Sequence, residues 1–548
     1  MKISVDTHHA LARINAALIK GDDAALEKAF DGVELQEILS QDTVAAVRAL
    51  GKAPLTMLLC TLAEHNDVEV ERARHWLACY QSIAQKQLAP SLVQLPGPQV
   101  LRLAVVALTH RQPLTTEQLK KMKPKGSPLV WQDAVELLLD HKDWSSLLAL
   151  LTHLGRQPSE TKIWLQISRC LSRRHRLYVD ETGVPQADVD YRALARLYGL
   201  CADAAQNAKV VKVQRALNHL AASALEIAGE HVTAISRLNK LDPHAKSVAV
   251  QLDIARNHCK AGDAIQSMAI LDLALRLYAV TKNTEEQVST ELLGAGSTEF
   301  DVPEKSFDVK KASRALSDLS SMANEKGTPV FLVSGTLLGY VREGQLLSHD
   351  KDIDVGIVGW ENQYALCMAL QESGLFTVSA QFLKGPDTFY IPIKHNATGM
   401  WIDVFVYHPK DDKWVTGVDF FFGYRQTFAF TPFELQDIEF LGVTMKAPVR
   451  PEINLTENYG NWRVPDVAYL SHLESPSTMD KGGLSYMLTA RLQALAACIK
   501  NKPAKLKKIL TLMREHQAAE GAMSQELIDI LSQSLSSTDA HSEESCHA

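Results

Sequence analysis

The stretch FLVSGTLLGYVREGQLLSHDKDIDVGIV, Phe331 to Val358, decides how this 548-residue chain is read. Its opening, Pro329 to Val333, predicts a strand, Thr336 to Arg342 a short helix, and Asp352 to Val358 a second strand. Successive side chains of a strand alternate in direction, so Asp352 and Asp354 share one face while Ile353, Val355 and Ile357 point into a core. Between strand and helix, Ser334-Gly335-Thr336 offers backbone amides and hydroxyls to a phosphate oxygen at a positive helix end. The same three residues also make an ordinary helix cap. Two carboxylates side by side repel unless a divalent cation sits between them, and magnesium prefers hard oxygen ligands together with substrate phosphates. An acidic pair on a solvated strand face is the competing reading.

A second apolar run, Trp401-Ile402-Asp403-Val404-Phe405-Val406-Tyr407, carries one isolated carboxylate. With Ile402, Val404 and Val406 on the opposite face, Asp403 occupies an expensive place for an unpaired charge. It needs either a cation or an ion pair with an arginine such as Arg425. A phosphate-cradling turn, a strand with two carboxylates and a neighbouring strand with a third form the layout of the nucleotidyltransferase fold. Lys394, His395, Arg425, Lys446, Arg450 and Arg463 are candidate phosphate or acceptor contacts, each equally readable as a solvated charge. Tyr459 and Trp462 can stack on a base or fill the core.

Upstream, from Met1 to about Lys282, short amphipathic helices separated by Gly-Asp, His-Lys-Asp or Asp-Pro replace strand alternation. Gly229-Glu230 and Gly262-Asp263 stand 33 residues apart, close to the roughly 34-residue period of tetratricopeptide repeats (TPR). The reading is a multidomain chain: a helical lobe over 1–125, a TPR-like all-α solenoid over 126–293, a linker at 294–306, and an α+β nucleotidyltransferase-fold domain with a mixed sheet over 307–500. C-terminal helices over 501–533 and a disordered acidic tail over 534–548 complete it. Within the catalytic region Val309, Ala312, Leu316, Leu319 and Ala323 recur at helical spacing, and Glu361 to Glu372 predicts another helix. Further strands are expected at Phe376–Phe382, Phe389–Lys394, Met400–Tyr407 and Asp437–Val443. The solenoid reads either as a docking surface for a protein partner or as a scaffold, because stacking alone already demands its apolar stripes.

A formal charge of -7 argues against a general nucleic-acid binder. The most apolar run of the amino-terminal half is taken as Leu101 to Leu108, too short to span a bilayer. The eight cysteines form no CxxC pair, which argues against a disulfide framework or a cysteine zinc site. The expectation is a cytoplasmic protein with at most peripheral membrane association.

GTLLGYVREGQLLSHDKDIDVGI resembles the signature of the LicD/fukutin family, in which GTLLG, an arginine-containing turn and a DxDID-type stretch follow in this order. The resemblance continues through Trp401-Ile402-Asp403-Val404-Phe405 to Glu457-Asn458-Tyr459-Gly460-Asn461-Trp462, and covers roughly Val309 to Asp466. It implies transfer of a phospho-alcohol, such as phosphocholine or ribitol phosphate, from a CDP-linked donor to a hydroxyl of a glycan or lipid-linked saccharide, with CMP released. It further implies that Asp352, Asp354 and Asp403 hold Mg2+ or Mn2+ and that Asp403 completes the metal site or takes the acceptor proton. Ser334, Gly335, Thr336, Arg342 and Lys394 would line or neutralise the donor phosphates, and Asp350 matches an acidic position that orients a ligand or caps a loop. Lys351 stands where many relatives carry another acid, and Glu343-Gly344 replaces the family's more usual basic-glycine turn. The lack of an anchor and of a zinc motif in the sequence suggests a bacterial, cytosolic enzyme at the inner face of the membrane. Two other activities stay open: a nucleotidyltransferase releasing pyrophosphate, and a catalytically inactive TPR adaptor.

Overall fold

The computed structural model describes residues 13, 103–104, 107–108, 111–120, 128–156, 161–174, 186, 188–207, 209–281, 308–347, 352–379 and 383–544. Most of the lobe expected over 1–125, the linker 294–306, Asp350 and Lys351 lie outside these residues. The chain divides into two compact units, Met1–Tyr178 with Pro185–Gly229, and Val179–Val184 with Glu230–Ala548. The described part of the first is helical: α1 (Thr116–Lys120), α2 (Pro128–Asp140), α3 (Trp144–Gly155), α4 (Thr161–Arg174), α5 (Tyr191–Asn207) and α6 (Val211–Ile227). Leu147, Leu150, Leu151 and Leu154 of α3 recur at helical spacing and are all fully buried.

The second unit opens with α7 (His231–Leu241), α8 (Val248–Lys260) and α9 (Ala264–Thr281). The glycines that set the repeat spacing, Gly229 at φ 77 and Gly262 at φ 88, take the left-handed conformation that ends a helix. Of these helices, α8 and α9 pack on the C-terminal ones, α15 (Leu484–Ile499), α16 (Pro503–Glu515) and α17 (Gln525–Glu544), around one core that includes Leu252, Leu271, Met487, Leu495 and Leu527. Arg491, 1% exposed, donates to both carboxylate oxygens of Asp272 at 2.6 and 3.1 Å. Tyr278 donates to the Cys498 carbonyl at 2.6 Å. By length and composition α9 suits a membrane span, with a mean hydropathy of 1.3. Its Asp272 and Tyr278, however, tie it into this core. The break in compactness thus falls at Gly229 rather than after the last helix of the expected solenoid. Helix α17 also continues into the tail expected to be disordered.

In the chain between α9 and α15, the second unit forms a mixed nine-stranded sheet. Its elements are α10 (Val309–Glu325), β1 (Phe331–Leu332), α11 (Ser334–Glu343), β2 (Ile353–Val358), α12 (Trp360–Ser373), β3 (Phe376–Val378), β4 (Tyr390–His395) and β5 (Trp401–Lys410). They continue with β6 (Lys413–Asp419), β7 (Arg425–Phe430), β8 (Leu435–Phe440), β9 (Val443–Pro448), α13 (Pro451–Tyr459) and α14 (Ser471–Glu474). The main path runs β3-β4-β5-β2-β1-β9-β8, and the β6–β7 hairpin extends from β5. The β2/β5 and β1/β9 pairs are parallel and the others antiparallel. Ala312, Leu316, Leu319 and Ala323 of α10 join Ile353, Val355, Ile357, Ile402, Val404 and Val406 in the main core. Val309, expected in that stripe, is 48% exposed. The other sheet face carries a smaller aromatic cluster of Phe331, Val333, Tyr407, Phe428 and Phe430, and the carboxylates belong to this second face. The single strand expected at Asp437–Val443 is instead a hairpin, because Leu441 (φ 53) and Gly442 (φ 76) form a tight turn between β8 and β9. Phe422, in the turn between β6 and β7, is fully buried among the helices of the unit, which secures that hairpin.

Candidate active site

Alternation along β2 buries Ile353, Val355 and Ile357 and sends Asp354 to the aromatic face. Phe331 lies across this strand so closely that a Cβ on Gly356 would come within 2.4 Å of its ring, which explains a glycine inside a strand. β1 leads through Val333 into Ser334, held at φ 47, and α11 starts there. Asp354 stitches this start to the sheet: its Oδ2 accepts from the Gly335 N–H at 2.9 Å, and its own N–H donates to Thr336 Oγ1 at 2.8 Å. Thr336 is fully buried. The other glycine of GTLLG, Gly339, lets α11 approach the returning loop, since a Cβ there would meet the Gln345 carbonyl at 2.5 Å.

Parallel pairing of β2 with β5 sets Asp354 directly beside Asp403, at the usual strand separation of about 4.8 Å. Asp352 precedes β2 by one residue, and its charge acts on Asp403. Burial first, and then Asp352, push the Asp403 carboxyl up to about 7, against a smaller opposing effect of a hydrogen bond from Tyr390. Tyr390 arrives from β4, where the antiparallel register opposes Pro392 to Asp403 and Lys394 to Trp401. Burial and then the Asp403 charge raise the Tyr390 phenol well above its ordinary value, so it stays a hydrogen-bond donor. Tyr407 is raised likewise by burial, with Asp354 and Glu457 adding to it.

Glu457, on α13, accepts from the Thr431 N–H at 3.0 and 3.2 Å and from the Thr431 hydroxyl at 2.6 Å, with Lys413 Nζ 3.8 Å away. The ENYGNW element thereby brings a fourth carboxylate to the aromatic face. The sequence reading missed Tyr390 and Glu457 as site residues. Tyr390 had a signal in the alternation Tyr390-Pro392-Lys394, whose partner strand is the one bearing Asp403.

Most remaining candidates are placed elsewhere. Arg425 pairs with Asp419 at 2.7 and 3.2 Å and stacks 4.3 Å from the Phe389 ring centre, so it is not the counter-ion of Asp403. His395 is fully buried between Asp318 Oδ2 at 2.9 Å and Thr398 Oγ1 at 2.8 Å, a brace for α10. Lys446 pairs with Asp437, and Trp462 is core with Arg463 over its ring. Arg342 sits near the C-terminal end of α11, about 12 Å along the axis from Ser334 at 1.5 Å per residue, and pairs with Glu343 at 3.0 Å. Lys394 stands on the face of Asp403 with its Nζ 6.0 Å from the Trp401 ring centre.

Among the described residues, no three His, Cys, Asp or Glu side chains are gathered as a ready metal-binding group. Asp354 Oδ2 is engaged by Gly335 and Asp403 by Tyr390. The donor set is nevertheless all hard oxygen, and the Asp403 carboxyl is raised by burial and then by the Asp352 charge, both of which a bound cation would offset. The chemistry fits a magnesium-class ion.

Residues 327–450 match the LicD/FKTN/FKRP nucleotidyltransferase domain. Three relatives carry the name Ribitol-5-phosphate transferase FKTN. The human protein is 27% identical over 177 residues, 32% of this chain and 38% of the relative. The Macaca fascicularis protein is 26% identical over the same shares, and the Mus musculus protein 27% identical over 28% of this chain and 34% of its own. The chain thus spans under two fifths of the length of the curated relatives it matches. The similarity to the LicD/FKTN/FKRP nucleotidyltransferase domain is thus confined to this part of the chain.

Proposed function

We propose, from the premise of a LicD/fukutin-family domain at 327–450, that the chain transfers a phospho-alcohol from a CDP-linked donor to a glycan hydroxyl and releases CMP. The observation that carries the reading is the in-register pair Asp354 and Asp403 on parallel strands, with Asp352 acting on the same carboxyl. The relatives named as ribitol-5-phosphate transferases support a polyol phosphate as cargo.

In this proposal Asp352, Asp354 and Asp403 hold Mg2+ or Mn2+, which would spread the charge that develops on the phosphoryl oxygens. The chain's own residues then have separate tasks. Asp354, fixed by the Gly335 amide, keeps one orientation, while Ser334 and Lys394 flank the donor phosphates; Thr336, fully buried, holds Asp354 from behind and does not reach them. The acceptor oxygen attacks the β-phosphorus in line and forms the new P–O bond as the bond to CMP breaks. Asp403 either completes this metal site or, where it stays off the ion, receives the hydroxyl proton, and the Tyr390 O–H steadies its carboxylate.

The test is CMP release from a panel of CDP-alcohols with Mg2+, comparing the parent with Asp354→Asn and Asp403→Asn. CMP formation lost in both variants is the expected result. Pyrophosphate released from a nucleoside triphosphate would make the chain a nucleotidyltransferase instead, and no nucleotide binding in calorimetry would favour an adaptor. The helical region expected to be TPR-like, 126–293, is proposed as the docking surface for a protein partner.

A further inference from the structure

We propose that the loop 461–470, together with the junction of α15 and α16, docks on an anionic lipid bilayer. Residues 463–467, Arg-Val-Pro-Asp-Val, are all exposed. Val464 is 61% and Val467 95% exposed, whereas Ala468 and Leu470 just beyond them are buried. Isolated surface valines are ordinary; what distinguishes these two is how they are held and what surrounds them.

Asp466, between the valines, accepts from the Ala468 N–H at 2.9 Å and pairs with Lys508 Nζ at 2.5 Å. The same ammonium reaches Glu474 at 2.9 and 3.1 Å. The loop is therefore pinned to α16 at a place where Lys500, Lys502, Lys505, Lys507 and Lys508 follow within nine residues. The chain as a whole carries a formal -7, so this face is positive against a negative background. Burial, and after it the charge of Lys502, lower the Lys505 pKa, so neighbouring ammonium groups act on one another here.

Lysines clustered beside exposed aliphatic side chains complement an anionic membrane: headgroups attract the ammonium groups and the acyl boundary receives the valines. A soluble polyanion would engage the lysines and leave the valines in water. The face adjoins the candidate site, because Tyr469 donates to the Asn458 carbonyl at 2.6 Å, next to Glu457. Docking would hold that site against a bilayer-borne acceptor. This last consequence rests on the proposed reaction; the docking does not.

The full-length protein is sedimented with vesicles of phosphatidylcholine alone and of phosphatidylcholine with phosphatidylglycerol, across a salt series. Binding is expected only with the anionic vesicles and should weaken as salt rises. Combining Lys502→Gln, Lys505→Gln and Lys507→Gln should lower it about tenfold. Lys508 is left in place because it holds the loop. The charge-matched control Lys310→Gln, Lys311→Gln and Lys326→Gln, on α10 and its C-cap, should not change it. Val467→Trp should gain fluorescence that brominated lipids quench in anionic vesicles. Equal loss in the control, binding to neutral vesicles alone, no binding, or binding without quenching at position 467 would each overturn the proposal.

Discussion

Replacing Asp403 by asparagine should stabilise the metal-free protein above neutral pH while abolishing transfer. The carboxyl is raised from the ordinary aspartate value of about 3.9 to about 7, by burial and by Asp352. Below about pH 3.9 both folded and unfolded chains hold the proton, and Asp403 imposes no penalty. Between that pH and 7 the unfolded chain releases the proton and the folded one keeps it. The stability associated with the protonated carboxyl is therefore lost progressively, and the loss is complete above the folded value. At about 1.4 kcal/mol per pH unit the full penalty is about 4 kcal/mol. Unfolding entropies of about 2.1 cal/mol/K per residue convert this, for a unit of roughly 300 residues, to about 6 °C in melting temperature. Asparagine keeps the size and an acceptor for Tyr390 but cannot ionise. Thermal melts of parent and Asp403→Asn from pH 4 to 8, without divalent metal, should show the variant gaining with pH and the curves converging at the acid end. Mg2+ at pH 8 should raise the parent and leave the variant unmoved. A variant less stable than the parent at pH 8, or a difference independent of pH, would refute the electrostatic reasoning.

Three further outcomes follow from the geometry. Thr336→Val leaves the Asp354 N–H without its buried acceptor and should cost about 1–3 kcal/mol in urea unfolding, with a lower rate of CMP release. Gly356→Ala drives a methyl into the Phe331 ring and should cost about 1–3 kcal/mol; Phe331→Leu in the same chain should recover part of the loss, which a pair of denaturation midpoints will show. Asp272→Ala strands Arg491 inside the helical core and should lower stability by about 3 kcal/mol, whereas replacing Asp263, half-exposed outside that core, should change the melt little.

Strand direction and face were legible because alternation is a local property. Ile353-Asp354-Val355 and Ile402-Asp403-Val404 each reveal which side of a strand is core. That Asp403 lies on a strand neighbouring the acidic pair was expected, but its registration beside Asp354 was not legible, since it depends on β5 settling beside β2 in parallel and in one register out of several. Tyr390 was hidden for the same reason: its role is conferred by a neighbour on another strand. The β6–β7 hairpin escaped because Gly417 interrupts the strand signal; the structure needs that glycine, as a Cβ would lie 2.8 Å from the Gln426 carbonyl. The Gly262-Asp263 turn predicted α8 and α9 as a helix pair, but no periodicity announces that Asp272 serves a buried arginine some 220 residues later.

The amide of Gly335 and the carboxylate of Asp354 bear on the thermodynamics of ligand capture. An aspartate that swings freely must surrender its rotational freedom when a ligand arrives, and such losses run to about 0.5–1.5 kcal/mol for each immobilised side chain. Here the rotor is already arrested when the chain folds, so its ordering is charged to folding stability and leaves affinity undiminished. The helix start that resembles an empty seat for a ligand's oxygen already holds an oxygen from the protein itself. An incoming phosphate meets a helix terminus whose first amide is taken and must find its donors among the neighbouring groups.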